Sequence, residues 1–351
     1  MNQLANIFRI NRSGIEIERA LLVLVLALVE LLVFVSLGKE QYLLSAFFGM
    51  LFIGLSDPGG AFGPRVGRML EAGLVGALLT LLGFSLGPGS WVLITLAAFI
   101  VTLLGGLAIA YGAHRFVSGY LLSVWFIIAL SLGRSYSVSH TESSAWLQAL
   151  AWLAGAALWV VFVFILWLIR GRRDQPQPFT EIPSDTAHRQ LTRPAILYSI
   201  IRALALAIAI AIPFGLNVPH ADWMPIAALV AMKPDLQQST LAGLQRLIGA
   251  LIGAILASLV VLTVDNKLAL EIIAIVLLAV GGAIRYVNYA WYCAAIAAGV
   301  LIAVDIPNHT NFAAEVDRVL FTLIGIGIGL VVMYIATLLG KRAAKASPQP
   351  V

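Results

Sequence analysis

Twelve apolar stretches, set close behind one another, leave this chain little choice but a bilayer. A helix that crosses the hydrocarbon core takes roughly 17–25 apolar residues. Stretches of that kind lie near 20–38, 42–56, 68–87, 91–111, 116–133, 146–169, 195–215, 222–233, 241–263, 267–283, 286–304 and 318–339. Charge is correspondingly scarce: 22 Lys or Arg and 17 Asp or Glu among 351 residues, or 11%, where a soluble domain carries about 25%. Too few charges remain to solvate the surface of one water-soluble core. The second and eighth stretches are short, and each stops at a proline, Pro58 and Pro234. Proline lacks a backbone N–H and disfavours helix in the residue before it, so both read as helix breaks. Short, interrupted spans at corresponding places in two halves point to a transport site.

The basic residues fix the orientation, because Lys and Arg crowd cytoplasmic loops. With the N-terminus in the cytoplasm, 17 of the 22 fall on the inner side and four, Lys39, Arg134, Lys267 and Arg318, on the outer, while Arg202 sits inside the seventh span. This asymmetry predicts twelve spans with N- and C-termini both cytoplasmic. It also explains the net charge of +5 without nucleic acid. Residues 1–20 carry Arg9, Arg12 and Arg19 and no small-residue cleavage site, so they read as the start of a retained helix. A single cysteine, Cys293, rules out a disulfide framework.

The polar run from Arg170 to Arg193, with Pro176, Pro178 and Pro183, reads as a linker. It divides the chain into a first six-helix repeat over 1–170, a cytoplasmic linker over 171–194, and a second six-helix repeat over 195–351 with a short basic tail. Internal similarity agrees with this division. Arg19-Ala-Leu-Leu-Val-Leu-Val is similar to Arg202-Ala-Leu-Ala-Leu-Ala-Ile, and Leu55-Ser-Asp-Pro58 to Ala231-Met-Lys-Pro234. His114-Arg-Phe-Val pairs with Ile284-Arg-Tyr-Val, and Leu153-Ala-Gly155 with Leu323-Ile-Gly325. Six is even, so both halves enter the membrane in the same direction: an all-α polytopic membrane protein built as two parallel repeats.

Met224-Pro-Ile-Ala-Ala-Leu-Val-Ala-Met-Lys-Pro, followed by Gln245-Arg-Leu-Ile-Gly-Ala-Leu-Ile-Gly-Ala, resembles the signature of fusaric acid resistance proteins and aromatic acid exporters. Arg285-Tyr-Val-Asn-Tyr and Asp317-Arg-Val-Leu-Phe-Thr-Leu-Ile-Gly resemble later segments of that family. The resemblance covers most of 195–340 and extends more weakly over 19–170, where Asp57-Pro58 and Arg68 fit. The six-helix unit is also similar to that of plant aluminium-activated malate transporters, which pair two such units around an anion path. The resemblance implies a bacterial inner-membrane protein that exports small, aromatic carboxylate-like anions. Many exporters of the family carry a large soluble domain, and only a short linker stands here, so no periplasmic adaptor is expected as a partner. The lipid bilayer is the constant partner, and a homodimer is compatible with the reading.

Ionisable groups within spans are costly and are functional candidates by default. Glu30 lies roughly 13–17 Å from either end of the first span at 1.5 Å per residue. Leu26, Ala27, Val33 and Phe34, three and four positions away, offer it no partner. Such a carboxyl favours its uncharged acid and can carry a proton; the alternative is a Glu that only fixes packing. Arg246, Gly249, Ala250 and Gly253 share one helical face, whose glycines admit a neighbouring helix. Arg68 opens the third span, with Glu71 three residues on as a neutralising neighbour. Arg68, Lys233 and Arg246 then form a cationic ring for an anionic substrate, or they merely mark inner helix ends. Arg285, Tyr289 and Trp291 offer a cation for a carboxylate and rings for stacking, unless the aromatics belong to the interfacial belt. Arg202 reads as snorkelling to the inner surface, with a Glu30–Arg202 pair as the alternative.

Gly325-Ile-Gly-Ile-Gly329 lies inside an apolar span with no strand before it, so it reads as helix packing, not as a phosphate loop. His140, His220 and His309 fall in outer loops without carboxylate or Cys company, so neither a metal nor another cofactor is expected. Nothing forms a catalytic triad or a nucleotide loop, which argues against an enzyme and, for want of an ATP site, toward proton coupling. A passive organic-anion channel and a non-transporting membrane scaffold are the alternatives to a proton-coupled exporter.

Overall fold

A computed structural model of the protein describes residues 10–174, 187–216, 218, 223–232, 236–305 and 312–346. Twelve α-helices run through the described residues: α1 (Ile17–Ser36), α2 (Leu43–Leu55), α3 (Phe62–Leu86), α4 (Trp91–Leu107), α5 (Ala113–Val138), α6 (Ala145–Ile169), α7 (Arg193–Gly215), α8 (Trp223–Ala231), α9 (Leu236–Thr263), α10 (Lys267–Ile284), α11 (Tyr289–Asp305) and α12 (Phe312–Ala346). Each apolar stretch read from the sequence is helical. Seven of the helices are long and apolar enough to cross a membrane by themselves, and α3 through α7 are among them.

Local chemistry sets several of the boundaries. Asn266 accepts a hydrogen bond from the Ala269 N–H (3.0 Å) and caps α10. Asn288 accepts from the N–H groups of Ala290 (2.9 Å) and Trp291 (3.1 Å) and caps α11. Thr192 caps α7, and Pro194 occupies its first turn, where a missing N–H costs nothing. The 13 residues of α2 and nine of α8 give lengths of about 20 and 14 Å, short of the roughly 30 Å hydrocarbon core. Pro58 follows three residues after the end of α2. Lys233 and Pro234, which follow α8, lie outside the described residues.

The chain forms two compact units: Glu30–Leu216, and Met1–Val29 together with Asn217–Val351. Within Glu30–Leu216, α2 and α3 pack on α6, α3 and α4 pack on α5, and α7 packs on α4. The centre of this unit is aromatic. Trp125 and Trp152 stack with ring centroids 4.7 Å apart. Each indole N–H is satisfied, Trp152 by the Gly73 carbonyl (3.1 Å) and Trp125 by the Thr80 hydroxyl (2.8 Å). Helices α2 and α6 approach backbone to backbone, since a Cβ on Gly155 would lie 1.9 Å from the Ala46 carbonyl oxygen. In the other unit, α8 packs on α12, α9 on α11 and α12, and α10 on α11. There a Cβ on Gly325 would lie 2.2 Å from the Met224 carbonyl oxygen.

Candidate functional site

The break after α2 is a built structure. Asp57 is fully buried, and its carboxylate accepts from both the Nε (2.6 Å) and the Nη2 of Arg65. It also accepts from the Gly59 N–H (3.0 Å) and the Trp159 indole N–H (3.4 Å). Arg65 is itself 4% exposed, so this is a buried, bidentate ion pair whose remaining acceptor sites are used. It holds the turn through Pro58 against the first turn of α3.

Arg68 stands one turn further along α3 and is half-buried. Glu71 does not neutralise it. The Glu71 carboxylate instead pairs with Arg115 at the start of α5. The spacing of three residues along one helix suggested the nearer partner, but the close packing of α3 on α5 supplies a better-aimed one. His114, beside Arg115, is buried with its Nδ1 unbonded.

In the other unit, the glycine face of α9 meets α11 as its pattern predicts. A Cβ on Gly249 would lie 2.5 Å from the Ala290 carbonyl oxygen, and one on Gly253 would lie 2.7 Å from that of Ala294. One turn before Gly249, Arg246 has its Nε buried without a hydrogen-bond partner. Arg285 lies over the rings of Tyr286 (5.4 Å) and Tyr292 (5.9 Å), and Tyr289 stacks on Tyr292 at 5.6 Å. The charges of Arg285 and Arg246 both act on the Tyr292 hydroxyl. Arg246, Arg285 and Tyr289 therefore share one neighbourhood, with Tyr292 at its centre. Trp291 faces away and is 42% exposed. Helical geometry explains the difference: positions 289 and 292 share a face, and 291 points elsewhere. Arg68 belongs to the unit Glu30–Leu216 and Arg246 to the other, and Lys233 lies outside the described residues.

Two ionisable side chains sit deep in helices. Glu30 is buried, and neither carboxylate oxygen finds a hydrogen-bond partner among the described residues. Arg202 on α7 is 1% exposed, and none of its three nitrogens finds a hydrogen-bond acceptor among the described residues. Its guanidinium lies over Tyr120 at 5.0 Å and Phe116 at 5.7 Å, so the rings take the place of a counter-ion. Arg202 does not snorkel, because α4 and the aromatic start of α5 enclose it. No hydrogen bond joins it to Glu30.

Neither a curated protein nor a solved structure matches the chain. Family comparison gives a match where the sequence resemblance is densest, from α7 through α12: residues 206–332 fit the fusaric acid resistance protein-like family. The match is a similarity of that stretch alone, 127 of the 351 residues.

Proposed function

We propose that the protein is an inner-membrane transporter that exports small organic anions, aromatic carboxylates among them, in exchange for protons. The observation that carries the reading is Glu30, a carboxyl buried in an apolar helix with neither oxygen hydrogen-bonded among the described residues, in a chain whose second half matches a transporter family. An ionisable group without a partner in a spanning helix is expensive to keep, and a proton relay is one task that warrants it. Arg68, Lys233, Arg246 and Arg285 are the cations we assign to the anion, and Tyr289 supplies a ring face beside Arg285.

The architecture we infer is twelve spans in two parallel six-helix repeats with both termini in the cytoplasm. Helix starts support it: Ile17 and Arg193, Trp91 and Lys267, and Ala113 and Tyr289 are each 176 positions apart. So do two backbone hydrogen bonds, one in each compact unit. The Asn11 N–H donates to the Val287 carbonyl (2.9 Å), and the Arg189 N–H to the Ala110 carbonyl (2.8 Å). The segment ahead of each repeat's first helix thus clips onto the end of the other repeat's fourth helix.

The test is flux in proteoliposomes with a labelled aromatic carboxylate, with and without an imposed pH gradient. Gradient-driven accumulation that Glu30→Gln abolishes is the expected result. Downhill flux indifferent to both the gradient and the substitution would replace the exporter with a passive channel. Absence of flux for a panel of anions would remove transport itself.

A further inference from the structure

Within the unit Glu30–Leu216, the last turn of α6 meets the first turn of α3 around a small pocket lined by Gly60, Phe62, Arg65, Trp167, Arg170 and Arg173. Val163, Leu166, Trp167 and Arg170 reach it from one face of α6, at helical spacing. Both helices are long and apolar enough to cross a membrane, so the pocket stands where hydrocarbon gives way to headgroups. Aromatic rings mark that level: Phe62 stacks on Trp167 at 4.5 Å, and Phe164 lies 5.7 Å from Phe62. Past Ile169 the chain curls back. Gly171 and Arg172 take left-handed φ angles of 69° and 60°, and the Arg172 N–H donates to the Trp167 carbonyl (2.8 Å). The turn lays the Arg172 guanidinium over the Trp167 ring at 6.0 Å and brings Arg173 to the pocket beside Arg170. Asp174 then accepts from the Phe62 N–H (3.1 Å), which closes the loop onto α3.

Every polar side chain that lines this pocket is a donor. Arg65 is engaged by Asp57, but no carboxylate pairs with Arg170 or Arg173 among the described residues. The Trp167 indole N–H is buried without a hydrogen-bond partner. Basic residues at the end of a span orient the helix without binding anything. A buried, unmet N–H beside them does not follow from that rule, and it marks a place for an acceptor. Arg170, Arg172 and Arg173 outnumber Asp174 by two charges, so the fitting acceptor is an anion. The cavity is about 10 Å³, room for roughly one water-sized group. A free organic molecule does not fit inside, whereas one oxygen of a group held from outside does. We propose that the pocket binds the phosphate of an anionic phospholipid. One phosphate oxygen accepts from the Trp167 indole N–H, and Arg170 and Arg173 flank the charge. The acyl chains lie along the apolar side of α6, where Phe164 and Leu168 are each 42% exposed. Because Arg65 lines the same pocket, the lipid also braces the turn between α2 and α3.

The experiment is native mass spectrometry of the full chain in detergent, titrated with phosphatidylglycerol, which carries one phosphodiester charge, or with zwitterionic phosphatidylcholine. The first phosphatidylglycerol should bind roughly tenfold or more tightly than phosphatidylcholine, and it should raise the melting midpoint by mass action. Arg170→Gln and Arg173→Gln should each weaken that binding by about fivefold, the size of one basic contact with an anionic lipid. Trp167→Phe keeps the stacked ring and removes only the N–H. It should weaken binding by about tenfold, as loss of a hydrogen bond to a charged group does, while the melting midpoint without lipid stays at the wild-type value. Arg193→Gln, at an exposed basic residue that starts α7, is the control that should bind as wild type. Inorganic phosphate and glycerol 1-phosphate should not displace the lipid. Displacement by either would replace the lipid with a soluble phosphate and overturn the proposal. Equal affinity for the two lipids would overturn it too, as would binding unchanged in both Trp167→Phe and the double variant Arg170→Gln with Arg173→Gln. An equal loss in Arg193→Gln would reduce the effect to diffuse surface charge and end the site.

Discussion

Asp57 and Arg202 are both buried charges, and the structure treats them in opposite ways. Asp57 is saturated by Arg65, a backbone N–H and an indole N–H. Removing one member of a buried pair leaves the other charge uncompensated, at a cost of about 3–5 kcal/mol. Asp57→Asn should therefore lower the melting midpoint of the purified protein, and Asp57→Leu combined with Arg65→Met should recover part of the loss. Arg202 has ring faces but no hydrogen-bond acceptor among the described residues. Its replacement by Met deletes a desolvated charge and retains much of the apolar bulk, so Arg202→Met should melt no lower than wild type. A lower midpoint for Arg202→Met, comparable to that of Asp57→Asn, would mean that an acceptor holds the guanidinium in solution. The sequence set Arg202 inside a span and Asp57 just past the end of one, but which of them is paired depends on side chains brought in from α3 and α6. Sequence spacing holds no record of those contacts.

Among the elements, the helices themselves were legible in the sequence and their faces less so. Apolar runs ended by Pro, Asn, Ser and Gly placed all twelve segments, and the prolines marked the two short ones. The glycine face of α9 was readable because small residues recurred at helical spacing. Trp291 stayed open between substrate stacking and the interfacial belt because a cluster of aromatics one and two positions apart fits several faces at once. The similarity of Arg19 to Arg202 spans 183 positions, whereas three pairs of helix starts, Ile17 and Arg193 among them, repeat at 176. A Leu- and Ala-rich run offers several near-equal alignments, and this one lies two helical turns away from the register of the helix starts. Where small residues do decide packing, the consequence is testable. A side chain at Gly155 or Gly325 would strike a carbonyl oxygen of the facing helix, at 1.9 and 2.2 Å for the Cβ alone. That contact is with backbone, which cannot swing aside. Gly155→Val and Gly325→Val should each destabilise by about 1–3 kcal/mol or more, seen as a lowered melting midpoint in detergent. Gly327→Val, where a Cβ meets open space, is the control that should be tolerated.

On the scale of the whole molecule, the compact units cut across the halves that the linker suggests. Helix α7 begins the second half of the sequence yet packs on α4 inside the unit Glu30–Leu216. Residues through Val29, including the segment clipped to Val287 and Ala283, belong with 217–351. Hydropathy does not reveal such an exchange, because an apolar helix face matches lipid and any apolar neighbour alike. The exchange has a consequence for folding. A fragment ending in the linker would lack the α7 that covers α4, and a fragment beginning there would lack the segment that pairs with the end of α10. Each would expose an unpaired apolar helix face and unmet backbone groups, which are expensive in lipid. Expressed separately, residues 1–180 and 181–351 should each be degraded or aggregate. Expressed together, they should co-purify as a stable pair, because the exchanged segments tie the fragments together without a peptide bond. Cleavage of the intact protein at a protease site placed in the linker should leave the products associated and the melting midpoint nearly unchanged. Two fragments that folded alone and separated after cleavage would overturn the exchange, and with it the parallel-repeat architecture inferred from the paired hydrogen bonds.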